Sequence, residues 1–175
     1  MNATNLNPID DRFRIGFGVT GLGTVLVAKS SRGVAAILLG DNKDRLRREL
    51  ADAFPLVDMA EDAEGMETVV AEVEALVDAP QSGFVPDLDL RGSPIELAVW
   101  NALREIPSGQ TRTYGGLAKT LAIPATAQEV GAACAANVLA VAIPCHRVVK
   151  ADGSISGYRW GVQRKRRLIN IEGVA

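Results

Sequence analysis

Three short, predominantly apolar segments lie near the start of the chain, and this pattern predicts three β-strands. The segments span residues 13–19, 25–29 and 34–39, are rich in β-branched side chains, and are separated by short links that contain glycine. Because such short links join neighbouring strands in opposite directions, we expect an antiparallel meander. Apolar residues then recur at helical spacing over residues 44–54 and 66–77, which predicts two helices.

A stretch rich in proline and glycine over residues 79–92 marks a boundary between two parts of the chain. We expect an N-terminal α/β domain with its linker over residues 1–87 and a C-terminal domain over residues 88–175. The second domain is predicted to be largely helical. Its first helix has Ser93 as the N-terminal cap and Glu96 three residues later, which is typical of a capping box.

Two further helices are predicted over residues 114–121 and 126–136, with a turn containing Pro124 between them. Two short helices joined by such a turn are typical of a helix-turn-helix. The second of these helices consists almost entirely of small residues: Ala127, Gly131, Ala132, Ala133, Ala135 and Ala136. A helix with so little side-chain bulk either packs tightly against another helix or brings its backbone close to a nucleic-acid groove, and the sequence leaves both interpretations open.

The charged residues are distributed unevenly along a chain whose net charge is −2. Residues 1–90 contain 8 Lys and Arg and 16 Asp and Glu, whereas residues 91–175 contain 11 and 5. A basic half attached to an acidic half favours contact between the C-terminal part and an anionic partner. Chance clustering on solvated surfaces is the alternative.

Composition excludes several other classes of protein. No apolar run approaches the roughly 20 residues that a membrane helix needs, so no membrane contact is expected. Residues 1–14 are polar and acidic, unlike a signal peptide. Two cysteines and one histidine cannot build a disulfide framework or a zinc finger, so no metal site is predicted. We therefore expect the protein in the reducing cytoplasm.

The only histidine of the chain, His146, is adjacent to one of its two cysteines, Cys145. The thiolate is the nucleophilic form of cysteine, and a neighbouring imidazole or cation lowers the pKa of the thiol. A buried cysteine beside a histidine that is satisfied in the core is the structural alternative. Adjacent side chains on an extended strand point apart, so the pair needs a turn to act together.

The segment Pro-Cys-His-Arg-Val at residues 144–148 resembles the active-site signature of the O6-alkylguanine-DNA alkyltransferases, also called methylated-DNA–protein-cysteine methyltransferases. Further motifs in the family's order and spacing lie at residues 89–92, 99–103, 106–111, 135–137 and 156–161. The match is dense over residues 88–173 and looser over residues 15–60. Within the family, the chain is most similar to the C-terminal half of the bacterial Ada proteins.

This resemblance implies a mixed α/β (α+β) fold. A ribonuclease H-like N-terminal part, a three-stranded antiparallel sheet with helices, would precede a C-terminal winged-helix domain that contains the helix-turn-helix. The implied function is DNA repair by a monomer that binds double-stranded DNA containing O6-alkylguanine through the minor groove and flips the damaged base. The alkyl group then moves irreversibly to Cys145, once per molecule, and O4-alkylthymine is a second candidate substrate. No cofactor is implied, because the alkyl group comes from the DNA.

The resemblance also implies roles in the chemistry. His146 would take the thiol proton through a water molecule, and Glu172 would orient the imidazole. Tyr114 would donate its hydroxyl to N3 of the flipped guanine. Asn137 would act as a hinge that ties the recognition helix to the active-site loop, although a helix C-cap is its structural alternative.

A second group of residues would shape the substrate pocket. Backbone groups of Cys145, Val148 and Arg159 would bind the guanine edge. Trp160 would narrow the pocket and favour methyl over benzyl adducts. Lys165 has two candidate roles, to keep the thiolate charged or to contact DNA phosphates.

Arg147 and Asp152 resemble the family's structural ion pair across the active-site turn, which would hold its geometry. Cys134 is expected to be buried and inert.

Thr126, Ala127, Gln128 and Ala135 would contact the DNA. The family carries, at the position of Gln128, an arginine that fills the gap left by the flipped base. Glutamine brings no cation and has a shorter reach, and Glu129 adds a negative charge beside the phosphates. We therefore expect weaker DNA binding and slower base flipping than in relatives with the arginine.

Two other functions stay open. The chain could be a non-enzymatic or weakly active binder of alkylated DNA, because Gln128 replaces the arginine; proteins of that kind typically lack the active-site cysteine, which is intact here. The second alternative is a cysteine hydrolase with a Cys–His–Glu arrangement. No glycine motif for an oxyanion hole is present, and a helix-turn-helix would have no purpose in such an enzyme.

Overall fold

The computed structural model describes residues 12–173, so nearly all of the acidic segment that argued against a signal peptide lies outside the described residues. The predicted meander is confirmed. β1 (Arg12–Thr20) pairs antiparallel with β2 (Gly23–Lys29), which pairs antiparallel with β3 (Val34–Gly40). Most apolar side chains of these strands are buried, and Val19 near the end of β1 is an exposed exception.

The sheet has four strands rather than the three that were expected. A short strand, β4 (Asp58–Glu61), pairs parallel with β1 and gives the order β3-β2-β1-β4. The parallel pairing arises because α1 (Lys43–Ala53) carries the chain from β3 back across the sheet. Of the four residues of β4 only Met59 is not exposed, so no apolar alternation marked this strand in the sequence.

The remaining predicted helices are also confirmed, with small changes in their bounds. They are α2 (Glu67–Asp78), α3 (Pro94–Arg104), α4 (Tyr114–Thr120) and α5 (Ala127–Ala136). The capping box between Ser93 and Glu96 is present at the start of α3. No helix in the part of the chain that the structure describes is long and apolar enough to cross a membrane.

A last helix, α6 (Val162–Ile171), was not predicted. Its buried residues are Lys165, Leu168 and Ile169. A fully buried lysine on the inner face interrupts the apolar stripe by which an amphipathic helix is identified in a sequence.

The segment that leads to the Cys-His pair is hydrogen-bonded to the edge of the N-terminal sheet. The amide of Ile37 in β3 donates to the carbonyl of Val138 over 2.8 Å, and the amide of Ala140 donates to the carbonyl of Ile37 over 3.0 Å. Downstream of the pair, β6 (Val148–Val149) pairs parallel with β5 (Arg112–Thr113). The two parts of the chain share one cluster of buried apolar residues, so the sheet positions the Cys-His segment.

Candidate active site

Cys145 and His146 lie on a single 3₁₀ turn, Cys145–Arg147, between Pro144 and β6. The amide of Arg147 donates to the carbonyl of Pro144 over 3.0 Å, and the amide of Val148 donates to the carbonyl of Cys145. The chain therefore makes the turn that the pair needs in order to act together. Both side chains are buried.

Asn137 connects the end of α5 to this turn. Its side-chain Nδ2 donates to Sγ of Cys145 over 3.3 Å and to the carbonyl of Ile143 over 3.1 Å, and its Oδ1 accepts the amide of Leu139 over 2.9 Å. The same residue is the C-cap of α5. Asn137 therefore both caps α5, as the structural alternative expected, and contacts the active-site turn, as the hinge role requires.

The thiol of Cys145 is the resting form of the side chain. Burial raises the pKa of the Cys145 thiol, and the hydrogen bond from Asn137 and the positive charge of Lys165 offset only part of that rise. Lys165 is fully buried, and its ammonium donates to the carbonyl of Ser156 over 2.8 Å. A buried lysine cannot contact DNA phosphates. Of the two candidate roles of Lys165, only that of keeping the Cys145 thiolate charged is compatible with the structure.

His146 and Glu172 form a buried hydrogen-bonded pair behind the turn, with Nε2 of His146 2.8 Å from Oε1 of Glu172. Burial raises the pKa of the Glu172 carboxyl, but hydrogen bonds from His146 and Arg147 outweigh it and hold that pKa at about 2. An ionised carboxylate only accepts hydrogen bonds, so Nε2 carries the imidazole proton and Nδ1 carries the lone pair. Burial also lowers the pKa of His146, against the hydrogen bond and charge of Glu172, and keeps the imidazole neutral.

Arg147 pairs with Glu172 and not with Asp152, which corrects the expected ion pair. Its Nη2 is 2.7 Å from Oε1 of Glu172, and its Nη1 donates to the carbonyl of Ile106 over 2.7 Å. Asp152 is exposed and accepts hydrogen bonds from the amide and hydroxyl of Ser154 instead. Glu172 is buried beside the guanidinium, which needs a counter-charge there, whereas Asp152 lies in solvent.

A cavity of about 290 Å³ opens beside Cys145. Its lining residues come from the start of α4, from α5, from the turn and from the segment before α6: Tyr114, Gly131, Cys134, Ala135, Cys145, Gly157, Tyr158 and Arg159. Four of the predicted site residues, Tyr114, Ala135, Cys145 and Arg159, therefore border one space. Val148 and Trp160 do not line it.

Tyr158 and Tyr114 line the cavity and Trp160 does not, so the expectation that Trp160 narrows the pocket is wrong. The two rings meet edge to face, with centroids 5.2 Å apart and planes inclined by 71°. Trp160 lies behind Tyr158 and borders a separate groove of about 800 Å³ along α1.

Sequence reasoning missed several other residues of the cavity wall. Gly131 and Cys134 lie one turn apart on the inner side of α5, and Gly157 has φ of 38°. Their helical spacing was visible, but which side of α5 faces the cysteine was not. Burial raises the pKa of the Cys134 thiol to about 12, which agrees with the expectation that it is inert.

The start of α5 is exposed. Thr126, Ala127, Gln128 and, further along, Ala135 are all accessible on this helix. Glu129 completes a capping box with Thr126: its Oε1 accepts the amide of Thr126 over 3.1 Å, and its own amide donates to the hydroxyl of Thr126 over 3.1 Å. The negative charge beside Gln128 is thus held at the helix N-terminus, which stabilises the helix.

Within residues 12–173, no group of three or more His, Cys, Asp or Glu side chains could hold a metal ion. The side chains described above bring together a thiol, a neutral imidazole held by a carboxylate, a phenol and a buried ammonium.

Residues 94–174 match the family model described as 6-O-methylguanine DNA methyltransferase, DNA binding domain. The chain is 46% identical over 151 residues to the bifunctional transcriptional activator/DNA repair enzyme Ada of Escherichia coli, a match that covers 86% of this chain and 43% of Ada. It is 33% identical over 152 residues to a methylated-DNA–protein-cysteine methyltransferase of Methanosarcina acetivorans, covering 87% of this chain and 93% of that protein. The chain spans about half the length of the two Ada proteins that it matches.

Two solved structures resemble the fold over nearly its whole length. One is Mycobacterium tuberculosis OGT in complex with DNA, with a TM-score of 0.71 and 29% identity over 91% of this chain and 92% of that one. The other is O6-methylguanine-DNA methyltransferase from Pyrococcus kodakaraensis, with a TM-score of 0.71 and 27% identity over 93% and 99%. The similarity thus includes the N-terminal sheet as well as the helical part.

Proposed function

Because the chain belongs to the methylated-DNA–protein-cysteine methyltransferase family, we propose that it repairs double-stranded DNA by moving the alkyl group of O6-alkylguanine onto its own Cys145. The observation that carries the proposal is the position of Cys145, which lines a cavity of about 290 Å³ while the neutral, carboxylate-bound His146 adjoins it in the same turn. A thiol held near a base but away from solvent is suited to one nucleophilic displacement.

In the proposed reaction, the proton of the Cys145 thiol passes through a water molecule to Nδ1 of His146. The sulfur lone pair then forms a bond to the alkyl carbon as the carbon–O6 bond breaks and its electron pair stays on guanine. Tyr114 donates a hydrogen bond from its hydroxyl to N3 of the base. The proton taken from the thiol, now on His146, balances the negative charge of the departing guanine. The thioether is not hydrolysed, so each molecule reacts once.

The burial of Cys145 supports base flipping as part of this proposal. O6 of guanine lies on the major-groove edge of a stacked base pair, and a buried sulfur cannot reach it there. We propose that α4 and α5 act as a helix-turn-helix, within a winged-helix-like C-terminal domain, and that the exposed small residues of α5 enter the minor groove. The cavity borders the inner side of α5, so a base extruded beside this helix enters the cavity directly.

Gln128 supports a second candidate function, a sensor that binds alkylated DNA with little or no transfer. It is exposed at the start of α5, where it can fill the gap left by a flipped base but brings no cation to the phosphates. The intact Cys145 and its contacts favour transfer over this alternative.

The two functions differ in the product. Duplex DNA with one O6-methylguanine is incubated with an equal amount of protein, and the DNA is then digested to nucleosides. Transfer converts O6-methyldeoxyguanosine into deoxyguanosine in proportion to the protein added. A sensor retards the duplex in a gel and leaves the methylated nucleoside unchanged.

A further inference from the structure

One wall of the Cys145 cavity depends on side chains from other elements for its position. Residues 154–158 have no regular secondary structure, yet Gly157 and Tyr158 line the cavity. From the inside, the ammonium of Lys165 donates to the carbonyl of Ser156 over 2.8 Å. We call residues 154–159 the wall segment.

From the outside, the wall segment is held by Arg159. Its Nη1 donates to the carbonyl of Ala135 over 3.0 Å, and its Nε donates to Oε1 of Glu49 over 3.1 Å. Ala135 is in the last turn of α5, where backbone carbonyls lack partners within the helix. Glu49 is in α1, so one guanidinium connects the N-terminal part, the end of α5 and the cavity wall.

We propose that Glu49 is a positioning residue for the transfer reaction: through Arg159 it fixes the wall of the Cys145 cavity relative to the end of α5. The inference rests on the proposed function, and it gives the acidic N-terminal part a role in the chemistry. Without Glu49, the guanidinium keeps one anchor, at Ala135, and is free to rotate into solvent or towards a DNA phosphate.

The ion pair is suited to positioning more than to stability. The side chains of Arg159 and Glu49 are 25% and 31% exposed, and ion pairs this accessible contribute little to folding. A shift of the wall, by contrast, acts on Tyr158 and on the amide of Arg159, which face the base. Small misplacements of groups that orient a substrate are costly to the rate.

The experiment compares Glu49→Gln with Asp52→Asn. Asp52 lies one turn further along α1, borders the same groove and has no ion pair among the described residues. Single-turnover methyl transfer is measured with a saturating O6-methylguanine duplex, so that altered DNA binding does not enter the rate. We expect Glu49→Gln to slow transfer roughly three- to tenfold and Asp52→Asn to leave it unchanged, with melting temperatures of both close to the unmodified protein.

A double-mutant cycle identifies the route. If Glu49 acts through Arg159, then Glu49→Gln has no further effect on the rate in a protein that already carries Arg159→Gln. Additive effects overturn the proposal, as does a rate for Glu49→Gln equal to that of the unmodified protein.

Hydrogen exchange of the free protein tests the same contact without any reaction. We expect Glu49→Gln, and not Asp52→Asn, to speed exchange of the wall-segment amides. Unchanged exchange there overturns the positioning role whatever the transfer assay gives. If the unmodified protein transfers no methyl group, the proposed function fails, and Glu49 has no reaction to position. Faster exchange in Glu49→Gln would then show that the Glu49–Arg159 contact still holds the wall segment, so the two failures are distinguishable.

Discussion

Asn137 donates a hydrogen bond to the sulfur of Cys145 over 3.3 Å while its side-chain oxygen accepts the amide of Leu139 over 2.9 Å. One buried side-chain amide thus ends α5 and binds the sulfur of Cys145. The donor stabilises the negative charge that develops on sulfur when the thiol loses its proton. The end of α5 and the sulfur of Cys145 are therefore connected by a single side chain.

Replacing Asn137 by alanine removes all of these contacts. The buried amide of Leu139 and the carbonyl of Ile143 then lose their side-chain partner, and we expect the free energy of unfolding to fall by roughly 2–4 kcal/mol. Urea unfolding at neutral pH measures this change. A loss below about 0.5 kcal/mol would mean that the contacts at Asn137 are dispensable.

The variant Asn137→Asp separates the two contacts. It keeps an acceptor for Leu139 but has no donor for Cys145, and its carboxylate disfavours a thiolate beside it. We expect transfer at least about tenfold slower than in the unmodified protein, since the carboxylate opposes the thiolate at any common pH. An equal transfer rate would contradict the role of the Asn137–Cys145 bond.

The rate of transfer is expected to be independent of pH from about 6.5 to 8.5. Burial lowers the pKa of His146 below its usual 6.5, so the imidazole faced by Glu172, Arg147 and Lys165 stays a neutral base across this range. Burial raises the pKa of the Cys145 thiol, so the thiol is also in one form. Below this range the rate falls as His146 takes up a proton.

The variant His146→Gln is predicted to change the shape of this profile. Without the base, only the small fraction of free thiolate reacts, and the rate rises nearly tenfold with each pH unit. Single-turnover rates across the range, with circular dichroism to verify folding, test this. A flat profile in the variant would exclude His146 as the base.

Acid is expected to destabilise the protein in two stages. The unfolded chain binds a proton at histidine below about pH 6.5, which the buried His146 resists, so stability falls first in that range. The pKa of Glu172 is about 2 in the fold and about 4.3 in an unfolded chain. Its contribution, on the order of 3 kcal/mol, is therefore present above about pH 4.3 and is lost as the pH falls towards 2.

Glu172→Gln removes the second stage. It also leaves the largely buried Arg147 without its counter-charge, so we expect a loss of roughly 3 kcal/mol at pH 7. Urea unfolding at a series of pH values measures both effects. A variant that retains the full loss of stability between pH 4.3 and 2 would contradict the low pKa of Glu172.

The elements with a clear apolar pattern or a turn signal could be predicted from the sequence, and those with neither could not. Apolar runs indicated β1 to β3, apolar residues at helical spacing indicated α1 to α3, and the turn with Pro124 separated α4 from α5. β4 has one half-buried residue, Met59, and α6 carries the buried Lys165 on its inner face, so neither shows a pattern.

The same difference applies to the site. The local motif predicted Cys145 as the candidate nucleophile and His146 as its partner, and the structure places both residues on one turn. The partner of Arg147 lies 25 residues away, at Glu172, and depends on how α6 packs. That Tyr158 faces the cavity, and Trp160 does not, depends on the path of an irregular segment, which no local pattern determines.

Gln128→Arg is predicted to speed repair of duplex DNA. Arginine at this exposed position can fill the gap beside the flipped base and add a cation near the phosphates. Gln128→Lys is the matched control, with the same charge but no planar fork, and is expected to improve binding more than rate. Reaction with free O6-benzylguanine, which needs no base flipping, is expected to stay unchanged; no gain on duplex DNA with arginine would refute this role of the position.

Peptide mass spectrometry after reaction with duplex DNA containing a single O6-methylguanine tests the central claim most directly. The proposed function predicts one added methyl group per protein, located on the peptide that contains Cys145, and none in Cys145→Ser. Cys134 is predicted to stay unmodified, because burial raises the pKa of its thiol to about 12. Tight binding of the duplex with no methyl group on Cys145 would contradict the transfer and leave the protein as a sensor of alkylated DNA.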